Sequence, residues 1–420
     1  MNRRDAPPGA TGARRAPKRF RAGTQRTIAP AETAARVRSL MPVLGITRVA
    51  NITGLDSIGI PVVMVCRPNA RSVAVSQGKG LDLDAARASG LMEALESFHA
   101  ERVDRPLRLA SYNDLWFTRR VIDVARLPRF AMSPFHAALR VLWIEGVDLI
   151  GGGPLWLPFD MVHTCYTLPL PEGSGCFFMS SNGLASGNHA LEAVSHAICE
   201  VVERDATAVW HARGAAARAD ARLDLATVDD PGCLEVLGKL HRAGVAAAVW
   251  ETTSDVGIPS FHCSIVDRSA HPLRPVPPGV GSGCHPCREV ALLRALTEAA
   301  QTRLTQISGA RDELSRVDLE GARDAGVIAA ARAEACAAGP GRRFQDVPTC
   351  STGSLDEDVA WELERLRAAG IEQVAVVDLT KPEIGVPVVR VVIPGLEALH
   401  EAPGYVPGPR ARAASEAGAS

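Results

Sequence analysis

Three segments of this chain carry one pattern in one register, and that pattern limits the fold more than any other feature. DAARASGLMEALE (84–96), NHALEAVSHAICEVVERDA (188–206) and EVALLRALTEAAQ (289–301) superpose with Ala86 on Ala193 and Ala291. Ser89, His196 and Arg294 then share a position, as do Glu93, Glu200 and Glu298, and finally Glu96, Glu203 and Gln301. Spacings of four and three residues put these positions on one face of a helix. Most other residues of the segments are Ala, Leu, Val, Ile or Met, so the glutamates are islands on apolar helices. Helices apolar on nearly every side must be covered by other elements.

Glutamates ordinarily form solvated stripes, and Glu200 and Glu203 alone would be read that way. Three copies, each behind glycines, favour a site instead. The glycine segments 76–80, 182–187 and 281–283 are predicted to be loops that offer helix N-termini to phosphate. Glu192 lies eight residues before Glu200 and extends its face. Glu93, Glu96, Glu200, Glu203 and Glu298 outnumber the cations nearby in sequence, Lys79, Arg204, Arg294 and Arg303. Buried carboxylates must be paired or bind metal, and an oxygen-only set suits magnesium. A di-iron carboxylate bundle would need Glu-x-x-His on two helices, and neither Glu93 nor Glu200 has His three residues on. Gly78-Lys79-Gly80 lacks the spacing of a Walker loop. From the residues alone, the chain reads as a non-Walker magnesium–nucleotide enzyme.

The rest of the sequence supports a globular enzyme. A net charge of −1 argues against a nucleic-acid partner, and no apolar run approaches the ~20 residues that span a bilayer. The first residues lack the apolar core of a secretory signal. Ten scattered cysteines form no disulfide framework, which fits the reducing cytoplasm. Cys284-His-Pro-Cys287 has no second CxxC to complete a zinc knuckle and reads as a loop with incidental thiols. Residues 1–30, rich in Arg, Pro, Gly and Ala, are predicted to be a disordered basic tail, 31–400 one catalytic domain, and 401–420 a flexible tail. Segments 60–68, 71–77, 141–150, 246–253, 260–267, 374–380 and 386–395 read as strands. Their irregular alternation with helices gives the class α+β.

At SQGKGLDLDAARASGLMEALE (76–96), SNGLASGNHALEAVSHAICEVVERDA (181–206), GSGCHPCREVALLRALTEAAQTRLTQISGARDE (281–313) and VVRVVIPGLE (388–397), the chain resembles the YcaO family. The resemblance implies an α+β fold with mixed sheets and carboxylate-bearing helices around an ATP site. It also implies an enzyme that phosphorylates a peptide backbone amide, so that a nucleophile can displace the phosphate. Glu93, Glu96, Glu200, Glu203 and Glu298 would be magnesium ligands; Lys79, Ser89, Asn188, Glu192, Arg204 and Arg294 would line the ATP. Ser97 stands where many members have Arg. Residues 21–63 are similar to the subgroup that works with a separate TfuA-type protein, which is associated with backbone thioamides. The ending lacks the terminal Pro-x-Pro-x-Pro common in azoline-forming members. The implied partners are thus a peptide substrate, a TfuA-like protein and a second copy of the chain in a homodimer, without nucleic acid or membrane. An azoline-forming cyclodehydratase and a non-catalytic ATP- or peptide-binding scaffold are the rival expectations.

Overall fold

The computed structural model describes residues 15–269, 275–311, 315–337 and 341–418. The chain begins with α1 (Pro30–Ser39) and α2 (Met41–Leu44), then β1 (Arg48–Asn51), β2 (Val62–Cys66) and β3 (Val75–Lys79). Next come α3 (Leu83–Ala100), β4 (Leu107–Ser111), α4 (Tyr112–Trp116), β5 (Arg140–Asp148), β6 (Pro154–Pro158), β7 (Leu184–Ser186) and α5 (Ala190–Ala212). They are followed by α6 (Ala215–Ala219), α7 (Pro231–Arg242), β8 (Val245–Glu251), β9 (Ser260–Asp267), β10 (Gly279–Cys284) and α8 (Arg288–Ser308). The last elements are α9 (Arg316–Ala322), α10 (Ala325–Cys336), α11 (Leu355–Ala368), β11 (Ala375–Asp378), β12 (Val388–Val392) and α12 (Pro409–Ala417). Where the sequence suggests one body over 31–400, the chain divides into two compact units. The first comprises residues up to Arg19, Glu96–Ala212 and Thr352 onward; the second comprises Phe20–Leu95 and Arg213–Ser351.

The second unit holds two three-stranded antiparallel sheets, β1-β2-β3 and β10-β9-β8. Central β9 touches both α8 and α10, so Ser260 to Val266 are buried without alternation. Phe261, Ile265, Leu292, Leu296 and Phe344 lie in the core of this unit. The first unit has a sheet of order β4-β5-β11-β12-β7, with β6 also on β5. α5 packs on β12 and β7, and α11 and α12 pack on α5. The class is α+β. The strand ladders are antiparallel throughout, and among the described residues parallel pairing occurs only at the isolated bridges Val121–Trp156 and Leu223–Arg342.

The repeat found in sequence is a repeat of structure. Three residues separate β3, β7 and β10 from α3, α5 and α8: 80–82, 187–189 and 285–287 form the links. Gly78, Gly281 and Gly283 therefore lie in strands, while Gly80 and Gly187 lie in the links and Gly183 just before β7, so the expected loops shrink to three-residue links. A Cβ on Gly78 would stand 2.1 Å from the carbonyl oxygen of Ala86, and one on Gly283 would stand 2.1 Å from that of Ala291. Strand backbone lies directly on helix backbone, which is why glycine faces alanine at both equivalent positions. Burial follows the same frame: Ser89, His196 and Arg294, with Glu93, Glu200 and Glu298, are half-buried among mostly buried neighbours.

Both expected tails differ in the described structure. Residues 1–14 lie outside the described residues, but Ala16 and Lys18 are buried. Lys18 Nζ pairs with Asp358 Oδ2 at 2.6 Å, and Ala16 N donates to Asp356 Oδ1 at 3.0 Å. Acids in the first turn of α11 draw in a basic segment that composition alone marks as solvated. The expected flexible tail 401–420 contains α12, apart from residues 419–420, which lie outside the described set. Glu397 accepts the backbone N–H of Gly408 at 2.8 Å and of Ala411 at 2.9 Å, satisfying donors at the start of that helix. Asp205 accepts Arg410 Nε at 2.8 Å and Nη2 at 2.9 Å.

Candidate functional site

Each unit gathers its own share of the residues singled out above. In the second unit, Lys79 ends β3, Ser89 and Glu93 lie on α3, and Arg294 and Glu298 lie on α8. Lys79 Nζ forms an ion pair with Glu298 Oε2, and Ser282 N of β10 donates to Glu298 Oε1 at 3.3 Å. The Lys79 and Glu298 side chains are 16% and 25% exposed, so the pair is open to a ligand. Glu93 is pushed up to about 7. Burial is the largest cause, and Glu298 adds to it; Arg311, Lys79 and the Gln77 backbone act in the opposite direction and do not cancel it.

In the first unit, Glu96 Oε1 accepts two hydrogen bonds from Ser186 at the end of β7, from N at 2.8 Å and from Oγ at 2.6 Å. Asn188 Nδ2 donates to Glu192 Oε1 at 3.2 Å, one helical turn away. Arg204 lies 3.4 Å from Glu203 Oε1 and 3.9 Å from Glu200 Oε1, which places a positive charge beside the two repelling acids. Arg390 of β12 is a second counter-charge. It is buried, donates to the carbonyl oxygens of Met161 (2.8 Å) and Ser180 (2.6 Å), and is lowered to about 10 by burial, while Glu200 and Tyr166 pull the other way.

The donors fit a hard divalent cation. Every candidate ligand is a carboxylate oxygen, and at Glu93 the surrounding side chains leave the negative charge under-compensated. Arg303, counted among the site cations from sequence, is instead committed to Asp56 at 2.7 Å and Asp267 at 2.9 Å. Cys287 is the residue before α8 and its Sγ donates to Glu289 Oε2 at 2.9 Å, while Cys284 is buried in β10. Sequence reasoning missed Ser186 and Arg390. A lone arginine within the buried run VVRVV was the available signal for the second, because a buried cation demands a partner.

The YcaO cyclodehydratase, ATP- and Mg2+-binding family matches residues 77–397. The chain is 36% identical over 388 residues to an uncharacterized protein in the tfuA 3′ region of Rhizobium leguminosarum bv. trifolii, covering 89% of this chain and 88% of that one. It is also 36% identical over 379 residues to an uncharacterized protein of Methanothermobacter thermautotrophicus, covering 88% and 94%. Among solved structures it is similar to YcaO from Methanopyrus kandleri bound with AMPPCP and Mg2+, with TM-score 0.73, 24% identity, and 94% and 99% of the two chains covered. It is similar, too, to a heterocyclase in complex with substrate and cofactor, with TM-score 0.74 and 22% identity; 92% of this chain matches only 54% of that one. At these identities the structures speak to the fold, and the family match over most of the chain speaks to descent. The chain belongs to the YcaO family of ATP- and magnesium-binding enzymes.

Proposed function

We propose that this protein uses ATP to activate a backbone amide of a peptide, and that sulfide then replaces the amide oxygen to give a thioamide. The observation that carries the thioamide reading is the 36% identity to a protein in a tfuA 3′ region. The chemistry balances. The amide oxygen takes the γ-phosphoryl group of ATP, releasing ADP; sulfide adds to the activated carbon, and phosphate leaves with the former amide oxygen.

Glu93, Glu96, Glu200, Glu203 and Glu298 are the proposed magnesium ligands. Magnesium, when bound, screens the phosphate charge that would otherwise repel these carboxylates. Lys79 and Arg294 are the proposed partners of the phosphate oxygens, whose negative charge their positive charge would offset. Arg204 neutralises Glu200 and Glu203 and orients them along α5. Ser89, Asn188 and Glu192 complete the nucleotide contacts, with Asn188 holding the Glu192 carboxylate in one orientation. Positioning and charge neutralisation are most of what phosphoryl transfer asks of a protein. A TfuA-type protein is the proposed partner for peptide delivery or sulfide supply, and a homodimer is the proposed working unit.

The test is mass spectrometry of a precursor peptide incubated with the protein, partner, ATP, magnesium and sulfide. A thioamide gains mass through sulfur-for-oxygen exchange, and Glu200→Gln abolishes the gain. Loss of water without sulfide would establish the azoline reading instead. An unchanged peptide with no phosphate released would establish the scaffold.

A further inference from the structure

His211 lies in the last turn of α5, while His400 and Glu401 follow β12 in the same unit. The two imidazoles stack with centroids 4.1 Å apart and planes at 29°, and Trp210 meets His211 edge-on at 4.6 Å. His400 Nε2 is 3.8 Å from Glu401 Oε1. One ligand atom from each of the three residues lies within 4.8 Å of the other two. His400 Nδ1 is buried and has no hydrogen-bond partner among the described residues. A stacked pair serving packing alone has no use for that nitrogen, since buried polar atoms are as a rule satisfied.

We propose that His211, His400 and Glu401 form a binding site for a borderline divalent cation, Zn2+ foremost, that shares no ligand with the magnesium carboxylates. Two imidazoles and one carboxylate are a three-ligand zinc set with a fourth position open. Imidazole nitrogen selects against magnesium, which prefers oxygen, so the two ions do not compete for this cluster. Tetrahedral zinc at its usual bond lengths sets ligand atoms about 3.3 Å apart. No pair of ligand atoms therefore has to close by more than about 1.5 Å. Glu401, 61% exposed, can supply most of that by side-chain rotation, whereas His400, 17% exposed, is held in place.

Co2+ serves as the spectroscopic probe on the full chain, with excess Mg2+ present to fill the carboxylates. One equivalent is expected to give the intense visible bands of low-coordinate Co2+ without thiolate charge-transfer absorption, and Zn2+ should displace it. His400→Gln is expected to weaken binding by at least about tenfold, and Glu401→Gln by several-fold, with circular dichroism and Mg-ATP binding unchanged. Should His400→Gln not fold, exposed Glu401→Gln decides alone. Equal Co2+ affinity in parent and variants, or spectra dominated by thiolate bands, would overturn the site while leaving the ATP reading untouched.

Discussion

Arg410→Ala puts a number on what holds the carboxy-terminal helix. Asp205 is fully buried on α5 and accepts both Arg410 bonds, plus Glu397 N at 3.0 Å. Burial holds its carboxyl above the usual range, and Arg410 is the main force in the opposite direction. Removing one partner of a wholly buried pair costs about 3–5 kcal/mol. The Arg410 side chain is 16% exposed, so water partly replaces it, and the expected loss is near the lower limit, about 3 kcal/mol. The sign with pH follows from the raised carboxyl. In the variant, the folded state takes up a proton at a pH where the unfolded chain is ionised. The deficit relative to the parent is then larger at about pH 8 than at about pH 5. Denaturant titration at both pH values, with hydrogen exchange of the α12 amides, measures the loss. Adding Asp205→Asn should recover part of it by removing the stranded charge. A deficit under about 0.5 kcal/mol at both pH values would show that the pair behaves as a surface salt bridge and refute the reasoning.

Glu200→Gln keeps the size of the side chain and removes its charge, so calorimetry should find Mg-ATP binding weakened at least about tenfold, or 1.4 kcal/mol; unchanged affinity would make the cluster a solvated face. Because Glu93 is pushed up to about 7, Mg2+ binding should release protons below that pH and weaken as pH falls, and Glu93→Gln should flatten the profile. Without metal, the same raised carboxyl favours folding at acid pH, and that contribution is lost as pH rises from the ordinary Glu range toward 7. Gly283→Ala would place a methyl 2.1 Å from the Ala291 carbonyl oxygen, and should cost about 2–3 kcal/mol in denaturant titration. Gly321→Ala in α9, where a Cβ would meet nothing within 4 Å among the described residues, should instead be neutral or stabilise by up to about 1 kcal/mol.

The helices and their polar faces were legible because three copies of one pattern cancel the ambiguity of any single copy. Strands such as 260–267 were legible from β-branched and aromatic runs between turn residues. What the sequence concealed depends on distant partners. Lys18 reads as tail because Asp358, its buried partner, is 340 residues away. Arg410 and Ala411 read as tail because Asp205 and Glu397 hold them. Arg303 looked available to the site until Asp56 and Asp267 were seen to hold it. Glycines before a helix have two physical uses, cradling phosphate or admitting close backbone contact, and only coordinates separate the two.

The backbone contact between Gly283 and Ala291, matched by Gly78 and Ala86, has a consequence for how the carboxylates are aimed. An α-helix advances 1.5 Å and turns about 100° per residue, so a slip of one position would swing Glu93 or Glu298 onto another face. At Gly78 and Gly283 the strand has no side chain of its own to absorb such a slip. The links share that constraint: a Cβ on Gly80 would stand 2.4 Å from that of Ala85, and Asp82 accepts the Ala85 N–H at 2.7 Å at the start of α3. Lengthening 80–82 or 285–287 by a residue should therefore disturb the aim of the acids, as a single methyl on the strand would. The smallest residues in the chain, in strand and link alike, thus keep each helix clocked against its strand.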